Sequence, residues 1–325
     1  MMIKRLFLAS MLAAGFGLFV AHPAPAQPYP SKVIKLIVPF PPGGPIDTTA
    51  RLIAQQMTRK LGQQVTIENK PGAGTTIGTK AAAIAEADGY TLLFGSSGSL
   101  AVAPALYPKI DYDPIKSFAP IATVALIPHV FVISNDVPAK DVREFVAYAK
   151  ANPGKLNYGA SLGSPPHLLS KLFATKAGLD AVYIPYQGSA GSVVDLLAGR
   201  TQFTIDGLTG LYPLIKEGKV RALAMARAER WPPLPDVPTL VESGFSDFTF
   251  DAWTGVLAPA GTPPDIVATL NRAINEGLQT AEMKEGLARF SGIAKTSTPQ
   301  EFVAFMAHEL PLWAQLVKLS GAKAE

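Results

Sequence analysis

The residues of this chain that could do chemistry are small ones. Five short stretches, 42–47, 95–99, 159–164, 187–190 and 206–207, concentrate Gly, Ser, Pro and Asp, and each follows a run that reads as a β-strand. Pro42-Gly43-Gly44-Pro45-Ile46-Asp47 is the densest of them. Gly43 and Gly44 let the main chain turn tightly and approach a ligand closely. Asp47 reads as the N-cap of a helix that runs to about Leu61, with Gly62 as its stop. A glycine turn at the positive end of a helix presents free N–H groups to an anion. Ser97 and Ser99 offer the same kind of small, polar lining, as do Ser161, Gly163 and Ser164, and Gly188, Ser189 and Ala190. Asp206 ends a strand, where it either accepts hydrogen bonds from a ligand amine or hydroxyl or caps the next turn. None of the five stretches contains Lys or Arg. A carboxylate seated among them is therefore held by peptide N–H groups, hydroxyls, helix termini and water rather than by ion pairing.

Two enzymatic readings compete with that one. Gly159-Ala-Ser161-Leu-Gly163 has the spacing of a hydrolase nucleophile elbow, Gly43-Gly44 lies upstream, and Asp206 and His308 follow in hydrolase order. A true elbow needs its helix to start directly after the serine, whereas Pro165 and Pro166 delay the helix and remove two N–H donors. His308 falls in the pattern Phe302, Phe305, Met306, Glu309, Leu310 as a face residue of a surface helix, and His167 reads as a capping or packing group. Trp253 suits a cleft wall and the core equally. The second reading is a nucleotide site on Gly72, Gly74 and Gly78. That spacing is one residue too long for the dinucleotide fingerprint. Counted as a P-loop, Gly78 comes one position early and Ala81 replaces the required hydroxyl. No catalytic residue and no cofactor are assigned.

The elements that must position these loops alternate regularly. Apolar runs near 33–40, 65–68, 91–94, 121–126, 130–134, 156–160, 181–185, 202–205, 221–226 and 253–258 read as strands, most of them separated by helical patterns. Such alternation predicts an α/β fold of mainly parallel sheets flanked by helices. Two consecutive strands near 121–134 mark a crossing into a second domain, and the chain crosses back near 248–255. The expected organisation is a discontinuous first domain, 27–125 plus 248–325, and a second domain, 126–247. The segment 229–244 reads as a long surface connection, and three helices close the chain.

The first 26 residues read as an address. Lys4 and Arg5 precede an apolar run to Val20, and Ala24-Pro25-Ala26 is a small-x-small cleavage signal before Gln27. Export to the periplasm follows. Removing Lys4 and Arg5 lowers the formal charge from +4 to +2, too weak a bias and too scattered for a nucleic-acid surface. With no Cys and only four His, disulfides, thiolate chemistry and a metal centre are not expected.

The assembled motifs resemble the Bug-type receptors of tripartite tricarboxylate transporters. The likeness runs from Tyr29 to about Gly321. It rests on Tyr29-Pro-Ser-Lys32, the run from Val38 through Asp47 to Ala50-Arg51, Glu68-Asn-Lys-Pro-Gly-Ala-Gly74, Asp88-Gly-Tyr-Thr-Leu-Leu93, Tyr112-Asp-Pro114, Pro153-Gly-Lys-Leu-Asn-Tyr158, Pro185-Tyr-Gln-Gly-Ser189, Leu234-Pro-Asp-Val-Pro-Thr239 and Leu257-Ala-Pro-Ala-Gly-Thr-Pro263. The resemblance implies a periplasmic binding protein of type II-like build, a monomer that closes on a small carboxylate between two domains and presents it to membrane permease subunits. It implies main-chain and water-mediated grip at 42–47, opposed by 159–164 and 188–190. A protein that senses its ligand for a signalling kinase would share these features. Family members often carry a polar pair where this chain has Ser99-Leu100, a greasier site that leaves room for an aliphatic or aromatic carboxylate.

Overall fold

The apolar run at Ile34–Val38 forms strand β1, buried at Ile34, Leu36, Ile37 and Val38. It lies one strand in from the edge of the first of two sheets in the computed structural model, which describes residues 28–321 apart from 108, 187 and 290. The leader expected at 1–26 and the Gln187 position lie outside the described residues. Helix α1 (Pro45–Leu61) follows, then β2 (Val65–Asn69), α2 (Thr76–Ala83), β3 (Thr91–Ser96), a π-turn at Gly98–Val102, α3 (Ala103–Leu106), β4 (Phe118–Ile127) and β5 (His129–Ile133). The chain continues through α4 (Val142–Ala151), β6 (Leu156–Ala160), α5 (Pro165–Ala177), β7 (Ala181–Pro185), α6 (Ser189–Leu197), β8 (Phe203–Gly207), α7 (Leu208–Lys216) and β9 (Arg221–Met225). It returns as β10 (Ala252–Pro259) and ends with α8 (Pro264–Leu278), α9 (Ala281–Ala288), β11 (Ile293–Ala294) and α10 (Pro299–Ser320).

The first sheet has the order β11-β4-β10-β3-β1-β2 and the second β7-β6-β8-β5-β9. β1 pairs in parallel with β2 and β3, and β6 with β7 and β8, as successive βαβ units require. Elsewhere the pairing is antiparallel, so each sheet is mixed rather than mainly parallel. The reason is the crossing: β5 enters the second sheet and β10 re-enters the first against the direction of their neighbours. One residue, Pro128, separates β4 of one sheet from β5 of the other.

Each sheet is covered on both faces. On the first, α1 and α8 bury Ile53, Met57, Leu270 and Ile274 against β1, β3 and β4. On the other face Trp253, Leu257, Phe302 and Met306 pack together. The second sheet is centred on Phe131, Phe145, Phe173 and Phe203, whose rings meet mostly edge-on or tilted, the closest pair with centroids 4.5 Å apart. Helix α10 serves both: Phe302 and Met306 belong to the first core, and Trp313, Leu316 and Val317 to the second. Its N-terminus is a capping box between Thr298 and Glu301. The connection at 229–244 is less superficial than its polar sequence suggests. Trp231 and Leu240 are buried, and Leu240 N–H donates to Met225 O. Its prolines stop helix and strand, while its few apolar residues find the edge of β9.

The crossing segments hold one another. Ala226 N–H donates to His129 O, Phe250 N–H to Ala226 O, and His129 Nδ1–H to Phe250 O at 3.1 Å. Burial pushes the His129 imidazole down to about 4, only partly opposed by that hydrogen bond, so the ring is neutral. Beside it Arg227 faces Asp251 at 3.4 Å.

Within β10, Gly255 lies where a Cβ would press on the Phe302 ring and on Ala122 O. Gly255→Ala should therefore cost about 1–3 kcal/mol, read as a lower urea midpoint with unchanged slope. An unaltered midpoint would mean that the Phe302 ring yields freely.

Candidate functional site

The loop after β1 is built around a buried carboxylate. Gly43 takes a left-handed φ of 85°, Gly44 is the N-cap of α1, and Pro45 is its first helical residue. Asp47 is thus not the N-cap expected from its type. The fixed φ of Pro45 suits the first helical position, where its missing N–H costs nothing, and the helix starts two residues before Asp47. From the third helical position the carboxylate reaches back instead. Its Oδ2 accepts Gly43 N–H and Arg51 Nε–H, both at 2.9 Å, and Oδ1 accepts Asn69 Nδ2–H at 2.8 Å. Asp47 is 2% exposed. Burial raises its pKa, but the Arg51 hydrogen bond, the Gly43 N–H and the Asn69 amide outweigh this and hold it below the ordinary aspartate value. The side chain is fully used in shaping the turn.

The second sheet repeats the plan. Gly163 has φ 71°, Ser164 is the N-cap of α5, Pro165 is the first helical residue, and Gly163 N–H donates to Nδ1 of His167 at 3.1 Å. Both prolines fall within the first turn, so α5 begins at Pro165 and not near His167. His167 stacks on Tyr183 with centroids 4.2 Å apart. Burial, reinforced by Lys171, lowers its pKa to about 4. The imidazole is therefore neutral, with the proton on Nε2.

This arrangement does not assemble a hydrolase triad. Ser161 O accepts Ser164 N–H at 3.1 Å and Ser164 Oγ–H at 2.7 Å, but among the described residues no hydrogen bond joins Ser161 Oγ to a histidine. His308 is exposed on α10, and Asp206 accepts from Gly207 N–H.

Between the two sheets lies a cavity of about 180 Å³. Phe40, Gly74, Thr75, Gly98, Leu106 and Tyr107 contribute one wall, and Leu162, Gly163, Ser164 and Pro165 the other. Among the described residues no charged side chain lines it. A Cβ on Gly163 would collide with Leu106, so the two walls touch only because this residue is glycine. Of the residues expected to bind ligand, Gly163 and Ser164 line this cavity, with Gly98 between Ser97 and Ser99. The Ser99 hydroxyl is turned inward, accepting Ser96 N–H at 2.9 Å and donating to Ser96 O, and Ser97 Oγ accepts Trp253 N–H at 3.5 Å. Gly188 is the N-cap of α6, with Ser189 and Ala190 exposed in its first turn. Trp253 belongs to the core. Reading the loops for small polar residues overlooked Phe40, Thr75, Leu106 and Tyr107. Only the glycine run at 72–78 signalled any of them.

Asp206 is 6% exposed, and its Oδ1 accepts Gly207 N–H at 2.6 Å. Burial raises its pKa to about 6, opposed in part by the Gly207 N–H and the Ser189 hydroxyl. A raised folded-state pKa favours folding below the unfolded value and loses that contribution as pH climbs through the folded one. Asp206→Asn should therefore gain stability relative to wild type as pH rises from about 4 to about 7, seen as a growing Tm difference. A difference that stays constant with pH would place the carboxylate in water.

A model of the tripartite tricarboxylate transporter family receptor matches residues 49–321. Protein BugT of Bordetella pertussis is 39% identical over 319 residues, 96% of this chain and 98% of that one. Among solved structures, the R. palustris protein Rpa4515 with adipate is 34% identical at TM-score 0.80, covering 91% of this chain and 99% of that one. MatC from Rhodopseudomonas palustris with bound malate is 34% identical at TM-score 0.77, covering 89% and 100%. Two mixed sheets joined by crossing strands, with glycine turns facing one another across an uncharged cavity, are the build of a binding protein, and the chain belongs to the tripartite tricarboxylate transporter receptor family.

Proposed function

We propose that this protein is an exported receptor that binds a small organic carboxylate between its two domains and delivers it to the membrane permease of a tripartite transporter. The observation that carries this reading is the cavity itself: among the described residues it has no charged lining, and the left-handed turn at Gly74 lines it opposite the left-handed turn and helix start at Gly163–Pro165. Peptide N–H groups and hydroxyls can seat an anion there. The apolar wall of Phe40, Leu106, Tyr107 and Leu162 suits a guest with an aliphatic or aromatic body. The adipate and malate held by related structures support the carboxylate class.

In this reading the domains are 27–125 plus 248–325 and 126–247, the first limit lying within three residues of the Pro128 crossing, and residues 1–26 are removed on export. Among the described residues no helix is long and apolar enough to cross a membrane. The guest drives closure through the contacts it gains with the second wall. The protein works as a monomer and without catalysis.

Thermal melting of the mature chain with benzoate, succinate, malate, adipate and citrate tests the class. At a hundredfold excess over Kd a true ligand adds about 2.7 kcal/mol, a rise of several degrees. A Cβ on Gly44 or Gly188 meets no atom of the protein, so Gly44→Val and Gly188→Val should melt like wild type alone and lose the ligand-induced rise. Ser161→Ala should bind with modest change. Labelling of Ser161 by a fluorophosphonate would overturn the receptor reading in favour of an esterase.

A further inference from the structure

Four consecutive residues at one edge of the cavity hold positive φ: Gly72 126°, Ala73 44°, Gly74 58° and Thr75 82°. Glycine tolerates this freely, but for a β-branched residue it is among the least favourable regions of backbone space. The turn is nevertheless firmly set. Thr75 N–H donates to Gly72 O at 3.0 Å, Thr79 Oγ1–H donates to Thr75 O at 2.8 Å, and the Tyr107 ring lies where a Cβ on Gly74 would be. Thr75 lines the cavity, and its Oγ1 is buried without a hydrogen-bond partner among the described residues. On the opposite wall the Ser164 hydroxyl is already given to Ser161 O.

A strained backbone and an orphaned hydroxyl are both costs in the empty protein, and they meet in one residue. Costs of this kind persist where the strained group has a task. We propose that Thr75 determines ligand specificity: its hydroxyl donates to a carboxylate oxygen of the guest from the first-domain wall, a place where no cation stands. This rests on the carboxylate reading above. An ionised carboxylate offers only acceptors, so the hydroxyl must be the donor. The strain keeps the hydroxyl directed before the guest arrives, which spares ordering cost on binding.

Titration calorimetry with the tightest binder among benzoate, succinate, malate, adipate and citrate decides the matter, with three variants. Thr75→Val keeps the branched shape and its strain but deletes the donor, and should weaken binding about ten- to hundredfold without lowering the Tm of the empty protein. Thr75→Ser should bind within about threefold of wild type, since a charge-assisted donor is retained. Thr75→Gly relieves the strain, and should melt at or above wild type yet bind as weakly as the valine variant. Wild-type affinity in the valine and glycine variants, alongside loss of binding in Gly44→Val, would overturn the role of Thr75 and leave the receptor reading standing. If wild type binds none of the five acids, the receptor reading fails and this assignment fails with it.

Discussion

The N–H of Gly43 must be taken up by the Asp47 carboxylate before the first loop can face anything. That one bond joins a left-handed turn to the first turn of α1, and Asn69, at the end of β2, completes the grip through Asp47 Oδ1 and Phe40 O. A buried carboxylate is costly unless it is paired and hydrogen-bonded. Here it meets three donors, one of them the guanidinium of Arg51, which itself remains half exposed. The charge is therefore compensated inside the loop. Because the pKa of Asp47 is depressed, this contribution to stability is complete above the ordinary aspartate range and is lost as pH falls through the folded value.

The second wall solves the same problem without charge. Nδ1 of His167 replaces the carboxylate and accepts from Gly163, while Tyr183 supports the ring face-on. A protonated imidazole could not accept that bond, and burial keeps the ring neutral. The loop after β1 thus carries an internally balanced ion pair and the loop after β6 a neutral ring, and neither charge nor ring is part of the cavity lining. Among the described residues the cavity is lined by apolar side chains, glycines and the hydroxyl-bearing Thr75, Tyr107 and Ser164. Uncharged lining of this kind gains from the low dielectric between the walls, where each dipole acts more strongly than it would in water.

The parts that join the walls are few and of different kinds. Pro128 and the 226–251 return provide the main-chain crossings, tied by bonds among His129, Ala226 and Phe250. Helix α10 contributes side chains to both cores, and Pro311 within it removes one backbone hydrogen bond near the change-over. The junction is apolar as well as polar: the core of the second sheet also takes in Ala101, Val102 and Leu106 from the first unit.

The chain's own pattern of residues determined the alternating strands and helices, the crossing near 121–134, the uncharged loops and the family. These are local signals: strand and helix periods, glycine turns and motifs that keep their order along the chain. β6 and β7 fall where the apolar runs placed them. Tertiary structure alone decided the rest. Asp47 could not be known as an acceptor at the third helical position because Pro45 and the distant Asn69 settle its role. The mixed sheets follow from the direction in which β5 and β10 enter, which no local period records. Phe40, Leu106, Tyr107 and Thr75 share a wall although up to 67 residues separate them in sequence. Their types look like ordinary core and turn residues until packing brings them to one surface.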